Sequence, residues 1–164
     1  MYRILIIVVL VASVCAVDRD EFMKACGNMR ITIKCCKDEA FIEPELLTVL
    51  KECSQVPGPP MCDQDICLAT KRGYGSPNGK IDERKALREI EAYMKNSKHN
   101  IFDIIKQECF GNNMDKYGPA DQCQAAKLRH CVRLQLLQAC KNLSNEGSCQ
   151  GARDNLENCL KLFM

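Results

Sequence analysis

The chain has 164 residues with 23 Lys/Arg against 21 Asp/Glu, a formal net charge of +2, and no block of one sign. That balance argues against nucleic acid or an anionic membrane as the main partner, and the absence of Trp argues against recognition by base stacking. Thirteen cysteines point to an oxidising compartment and a disulfide framework.

Residues 1–16 read as a secretory signal peptide: Arg3 supplies the positive end, Ile4 to Ala12 are apolar, and Val14-Cys15-Ala16 is a small-residue cleavage site. The run is shorter than the roughly 20 apolar residues that span a bilayer, and Asp18 and Asp20 follow at once. The mature chain, 17–164, is expected to be one secreted domain with no stable membrane insertion.

The periodicity is helical nearly throughout. Residues 20–26 predict a first helix capped by Asp18 or Asp20, and the β-branched ITIK segment (31–34) that follows predicts an extended or irregular stretch. Pro44 opens a helix over 43–54 with Leu46, Leu47 and Leu50 on one face, and VPGPP (56–60) is a rigid break. A helix over 61–72 ends at Gly73. A turn-rich loop (73–82) then leads to Asp82, the N-cap of 83–95, where Leu87, Ile90 and Met94 share a face.

Asn100 caps the next helix, with Ile101, Ile104, Ile105 and Cys109 inward and Gly111 as terminator. Pro119 precedes the longest helix, about 120–143, and a last amphipathic helix covers 148–163 through Leu156, Cys159 and Phe163. The class is all-α: a compact, disulfide-stapled bundle of about seven or eight short helices around an apolar cavity.

Without Cys15 twelve cysteines remain, enough for six bridges. Neighbours such as Cys35 and Cys36 rarely bond to each other, because so small a ring strains the intervening peptide. No C-x-x-C pair exists and the only histidines are His99 and His130, so neither a metal, a redox centre nor another cofactor is expected. The two adjacent sulfurs therefore read as staples leaving in different directions. Cys131 and Cys140 lie nine residues apart, about 180° around a helix, which makes the long helix a central, cross-braced element.

Enzymatic readings find no support. The CCKDEAF run lacks the histidine base that a phospholipase-type helix needs. YGSPNGKIDERK offers Tyr74 and Lys85 where a calcium loop requires carboxylates. His130 reads as an ordinary packed or solvated histidine. Asn142-Leu143-Ser144 is the one N-glycosylation sequon, which makes Asn142 a candidate modification site.

The cysteine pattern resembles that of the insect odorant-binding proteins, and specifically their cysteine-rich Plus-C branch. Cys62 and Cys67 enclose four residues, Cys109 follows after 41, and Cys140 and Cys149 enclose eight. Cys35 or Cys36 stands as the first core cysteine, with Cys131 and Cys159 as the branch's additions. The resemblance implies bridges from Cys35 or Cys36 to Cys67, Cys62 to Cys140, and Cys109 to Cys149. A fourth, Cys131 to Cys159, is expected from packing of the last two helices, and Cys26, Cys53, Cys123 and the leftover neighbour stay open.

It also implies a non-enzymatic secreted carrier that holds a small apolar ligand, such as an odorant or pheromone, in an internal cavity, with an odorant receptor as a further partner. Candidate wall residues, chosen from the apolar helix faces, are Leu46, Leu50, Ile66, Ile90, Met94, Ile101, Ile105, Leu128, Val132, Leu136, Leu156 and Phe163. The alternative is a secreted structural or interaction protein, of venom, salivary or seminal type, that uses the same scaffold without ligand transport.

Overall fold

The computed structural model describes residues 18–27, 29–38, 44–56, 62–94 and 101–163, with the backbone alone at 30, 31, 33 and 44–47. The expected leader, the proline break at 57–60 and the expected cap Asn100 lie outside these residues. Among the described residues there are eight α-helices: α1 (Arg19–Cys26), α2 (Met29–Thr32), α3 (Pro44–Cys53), α4 (Asp63–Lys71), α5 (Glu83–Met94), α6 (Ile101–Cys109), α7 (Gln124–Ala139) and α8 (Ala152–Leu160). Short 3-10 turns cover Ile33–Cys35, Gly111–Tyr117 and Gly147–Cys149.

Local chemistry accounts for several helix boundaries. The Asp18 carboxylate accepts from the backbone N–H groups of Asp20 at 2.9 Å and Glu21 at 3.3 Å, so Asp18 rather than Asp20 caps α1. Asp82 caps α5 by accepting from Lys85 N at 3.1 Å, and that bond, the largest cause, holds its carboxyl below the usual range. Between α4 and α5 the chain folds back tightly: Gly79 has φ +78°, and a Cβ there would lie 2.8 Å from Cys123 Cβ. Only glycine fits that turn against the start of α7.

Three expected boundaries are corrected. The 31–34 segment is neither extended nor irregular; it completes α2 and enters a 3-10 turn, because Met29 and Thr32, three residues apart, are both buried where α2 packs on α8. The long helix starts at Gln124, not near 120, and ends at Ala139, not 143. Beyond it, Leu143 forms an antiparallel bridge with Cys36, and Asp38 accepts from the backbone N–H groups of Lys141 at 2.7 Å and Asn142 at 3.3 Å. These bonds satisfy the backbone in an extended path, so continuing the helix gains nothing. The last helix begins at Ala152 and ends at Leu160, with Cys149 left in the preceding 3-10 turn.

The centre is filled. Phe22, Met29, Ile101, Ile105, Leu134 and Leu137 are among its largest fully buried side chains, and α7 runs through the middle, packed on α4, α6, α8 and the 111–117 turn. The apolar space lies to one side of this core, between α3, α4, α5 and α7.

Six disulfides staple the bundle: Cys26–Cys159, Cys35–Cys149, Cys36–Cys140, Cys53–Cys67, Cys62–Cys123 and Cys109–Cys131. The adjacent cysteines do leave for different partners, and the four specific pairings expected from the sequence are all replaced. Cys62 precedes α4 beside Cys123, which precedes α7, whereas Cys140 follows the far end of α7. A helix of 16 residues is about 24 Å long, so Cys62 cannot also reach Cys140 across the roughly 6 Å that a disulfide spans. Cys131, in the middle of α7, faces α6 and meets Cys109, which takes Cys109 from Cys149 and leaves Cys159 of α8 to bond Cys26 of α1. Cys67 is bound to Cys53, tying α4 to α3 rather than to Cys35 or Cys36.

Candidate functional site

One face of α7 builds the wall of a partly open pocket. Leu128, Val132 and Leu136 recur at i, i+4 and i+8 and form an apolar stripe, while Arg129 and Arg133 form the neighbouring stripe one residue on. Opposite stand Ile90, Tyr93 and Met94 of α5, with Leu68 of α4 and Leu50 of α3 closing the sides. Arg72 and Tyr74, from the turn after α4, and Glu89 of α5 complete the lining. The cavity measures about 210 Å³.

The polar groups gather around Tyr74. Arg129 donates from Nη2 to Asp65 Oδ2 at 2.9 Å, and its Nε also contacts Asp65 Oδ1; the Asp65 side chain is 1% exposed. Arg72 pairs with Glu89 at 2.8 Å, joining the end of α4 to α5. Burial pushes the Tyr74 phenol up to about 12, with the Asp65 charge adding to the rise and Arg72 and Arg129 opposing it. Tyr74 thus remains a protonated donor at any physiological pH, beside guanidinium groups that never lose their charge.

Six of the expected wall residues do line this pocket: Leu50, Ile90, Met94, Leu128, Val132 and Leu136. Ile101, Ile105 and Leu156 belong instead to the filled core. Phe163 stacks at a tilt on Tyr117, centroids 5.1 Å apart, and approaches Phe22 edge-on at 6.5 Å. Ile66 packs beneath the Gly79 turn, and the Leu46 side chain lies outside those described. Leu68, the two tyrosines and the charged groups were not anticipated. Arg129 and Arg133 flank the apolar stripe at helical spacing, which was a readable signal; the inward turn of Asp65 has none.

Comparison with protein-family models, curated proteins and solved structures finds no match to this chain. The site's chemistry must speak for itself. Among the described residues one cluster has metal-ligand proximity, Cys36, Asp38 and Cys140, but its two sulfurs are bonded to each other and offer no thiolate. His130 meets Phe22 of α1 edge-on, with the ring centroids 5.0 Å apart. Asn142 is exposed, and its side-chain amide donates to Asp38 Oδ1 at 2.5 Å. No helix among the described residues is long and apolar enough to cross a membrane.

Proposed function

We propose that this protein is a secreted, non-enzymatic carrier that holds a small, largely apolar molecule in the pocket between α3, α4, α5 and α7. The observation that carries the reading is the open apolar wall itself: about 210 Å³ between α3, α4, α5 and α7 stays vacant beside a packed core. On the scale by which a cavity of about 150 Å³ holds one benzene ring, that space takes a body of about eight carbons.

The mechanism is desolvation. Enclosing about 250 Å² of ligand surface at about 25 cal/mol per Å² contributes about 6 kcal/mol, which after ordering costs suits micromolar or weaker binding. Such affinity dissolves a cargo and still releases it. The bridges supply stability that the vacant volume withholds, at about 2–4 kcal/mol each, and their number suits an extracellular fluid. The resemblance to insect odorant-binding proteins suggests semiochemicals as the cargo and a receptor as the destination. Since the bridges differ from that family's pairing, the reading rests on the pocket and not on the cysteine spacing.

A naphthylamine dye that brightens in apolar surroundings tests it. Saturable fluorescence with oxidised protein, displaced by eight-carbon volatiles, is the expected result. Absence of uptake would favour a structural or interaction protein without cargo.

A further inference from the structure

We infer that Asn142 is an N-glycosylation site that the folded chain shuts, so that pairing of Cys36 with Cys140 decides how much of the protein carries a glycan. The inference rests on the secreted reading, because the modifying transferase works in the secretory lumen.

The sequon Asn142-Leu143-Ser144 lies in a loop fastened at both ends to one place. Cys140 is bonded to Cys36 and Cys149 to Cys35, so segment 140–149 is tied at each end to two adjacent residues. Between the two bridges the backbone pairs with that same partner segment. Lys37 N donates to Asn142 O at 3.0 Å, Ser144 N donates to Cys35 O at 2.8 Å, and Leu143 stands opposite Cys36 in an antiparallel bridge. Asp38 holds the side chain as well: Oδ2 accepts from the backbone N–H groups of Lys141 and Asn142, and Oδ1 accepts from Asn142 Nδ2 at 2.5 Å.

Glycan transfer needs the opposite state. Nδ2 attacks the anomeric carbon of an oligosaccharide carried on a lipid diphosphate. The N–C bond forms, the bond from that carbon to the phosphate oxygen breaks, the lipid diphosphate leaves, and a proton from Nδ2 passes to a base on the transferase. The sequon must therefore be lifted away as an open strand with its side-chain amide released. Hydrogen bonds yield to such competition at about 1 kcal/mol each, whereas the two bridges open only by exchange with a thiolate. Once both bridges have formed, the sequon is held back from the transferase even though Asn142 is exposed to solvent.

That exposure leaves room for a glycan attached earlier, and the modified amide keeps one of its two N–H groups to donate to Asp38. Glycosylated and bare chains thus reach the same fold, and their proportion reports which event came first. Disulfide formation takes roughly seconds to hours, slow enough for the two events to compete.

Expression of the full chain in eukaryotic secretory cells tests the inference. Occupancy is read from the mass of the reduced tryptic peptide 142–153, from cells and medium together, with and without enzymatic removal of glycan. The wild type is expected to be mostly bare. Cys36→Ser with Cys140→Ser is expected to raise the glycosylated fraction at least about twofold, and so is a pulse of dithiothreitol while the wild type is being made. The pulse needs no substitution, so the test stands even if the double variant is degraded. Cys26→Ser with Cys159→Ser removes the bridge between α1 and α8 and should leave occupancy unchanged. A wild type that is mostly glycosylated, or an equal rise in both double variants, would overturn the proposal. Bare chain under every condition would overturn it too, and bare chain that is also missing from the medium would take the secreted reading with it.

Discussion

Arg129 of α7 and Asp65 of α4 form a buried ion pair at 2.9 Å, and the carboxylate has almost no exposure to solvent. A pair so enclosed is weak evidence of net stabilisation, because desolvating two charges offsets most of their attraction. Breaking it from one side is different. Asp65→Ala strands the guanidinium in a site where its side chain is 18% exposed, and the expected loss is about 3–5 kcal/mol in urea unfolding of the oxidised protein. The double substitution Asp65→Leu with Arg129→Leu should recover most of it. A loss below about 1 kcal/mol for Asp65→Ala would mean that the pair is not buried as described.

The adjacent cysteines give a chemical signature. Trypsin cuts after Lys34, Lys37, Arg133, Lys141 and Arg153, so residues 35–37 should be released joined to 134–141 through Cys36–Cys140 and to 142–153 through Cys35–Cys149. Mass spectrometry of unreduced protein should find this three-peptide species. It also reads out the sequon, since a glycan on Asn142 would shift the same species in mass. Finding 35–37 linked to the peptide that holds Cys67 would restore the pairing that the family resemblance implies.

Tyr74 predicts a pH dependence in the alkaline range. Its phenol is raised from about 10 to about 12 in the folded state, so folding favours the protonated form. The corresponding stability is fully present below pH 10 and is lost as pH rises through about 12, up to about 3 kcal/mol in all. Tyr74→Phe should flatten that part of the stability profile. Phenolate absorbance checks the assignment: burial raises both Tyr74 and Tyr117, and Tyr74→Phe should remove the later-ionising component near pH 12 while leaving that of Tyr117 in place.

Filling the pocket should separate binding from folding. Val132 sits in the middle of the apolar wall and is only partly buried, so Val132→Phe projects extra volume into vacant space rather than into the core. Dye uptake is expected to fall by tenfold or more, with thermal stability unchanged or slightly higher. Unaltered uptake would locate the dye elsewhere. A large drop in stability would show that the pocket is already occupied by packing.

Much of the architecture was legible because it is written at short range. Asp18, Asp82 and Pro44 mark helix starts by local hydrogen bonding and fixed φ, and the stripe Leu128, Val132, Leu136 appears wherever a 3.6-residue period is drawn. The same rule failed at Ile101, Ile105 and Leu156: an apolar face says that a residue points inward, and has no means of saying whether a neighbour fills the space it meets.

By itself, then, the sequence determined a helical chain, its main caps and turns, a cysteine-rich framework of thirteen sulfurs, and two adjacent sulfurs bound for separate partners. Tertiary structure alone decided which sulfurs meet, because a bridge requires Cα atoms within about 6 Å and that distance is set by the length and packing of whole helices. It alone also brought Asp65, Arg72, Tyr74, Glu89 and Arg129 to one end of a pocket, from three helices and a turn. Charge acts through space, and no spacing along the chain records it.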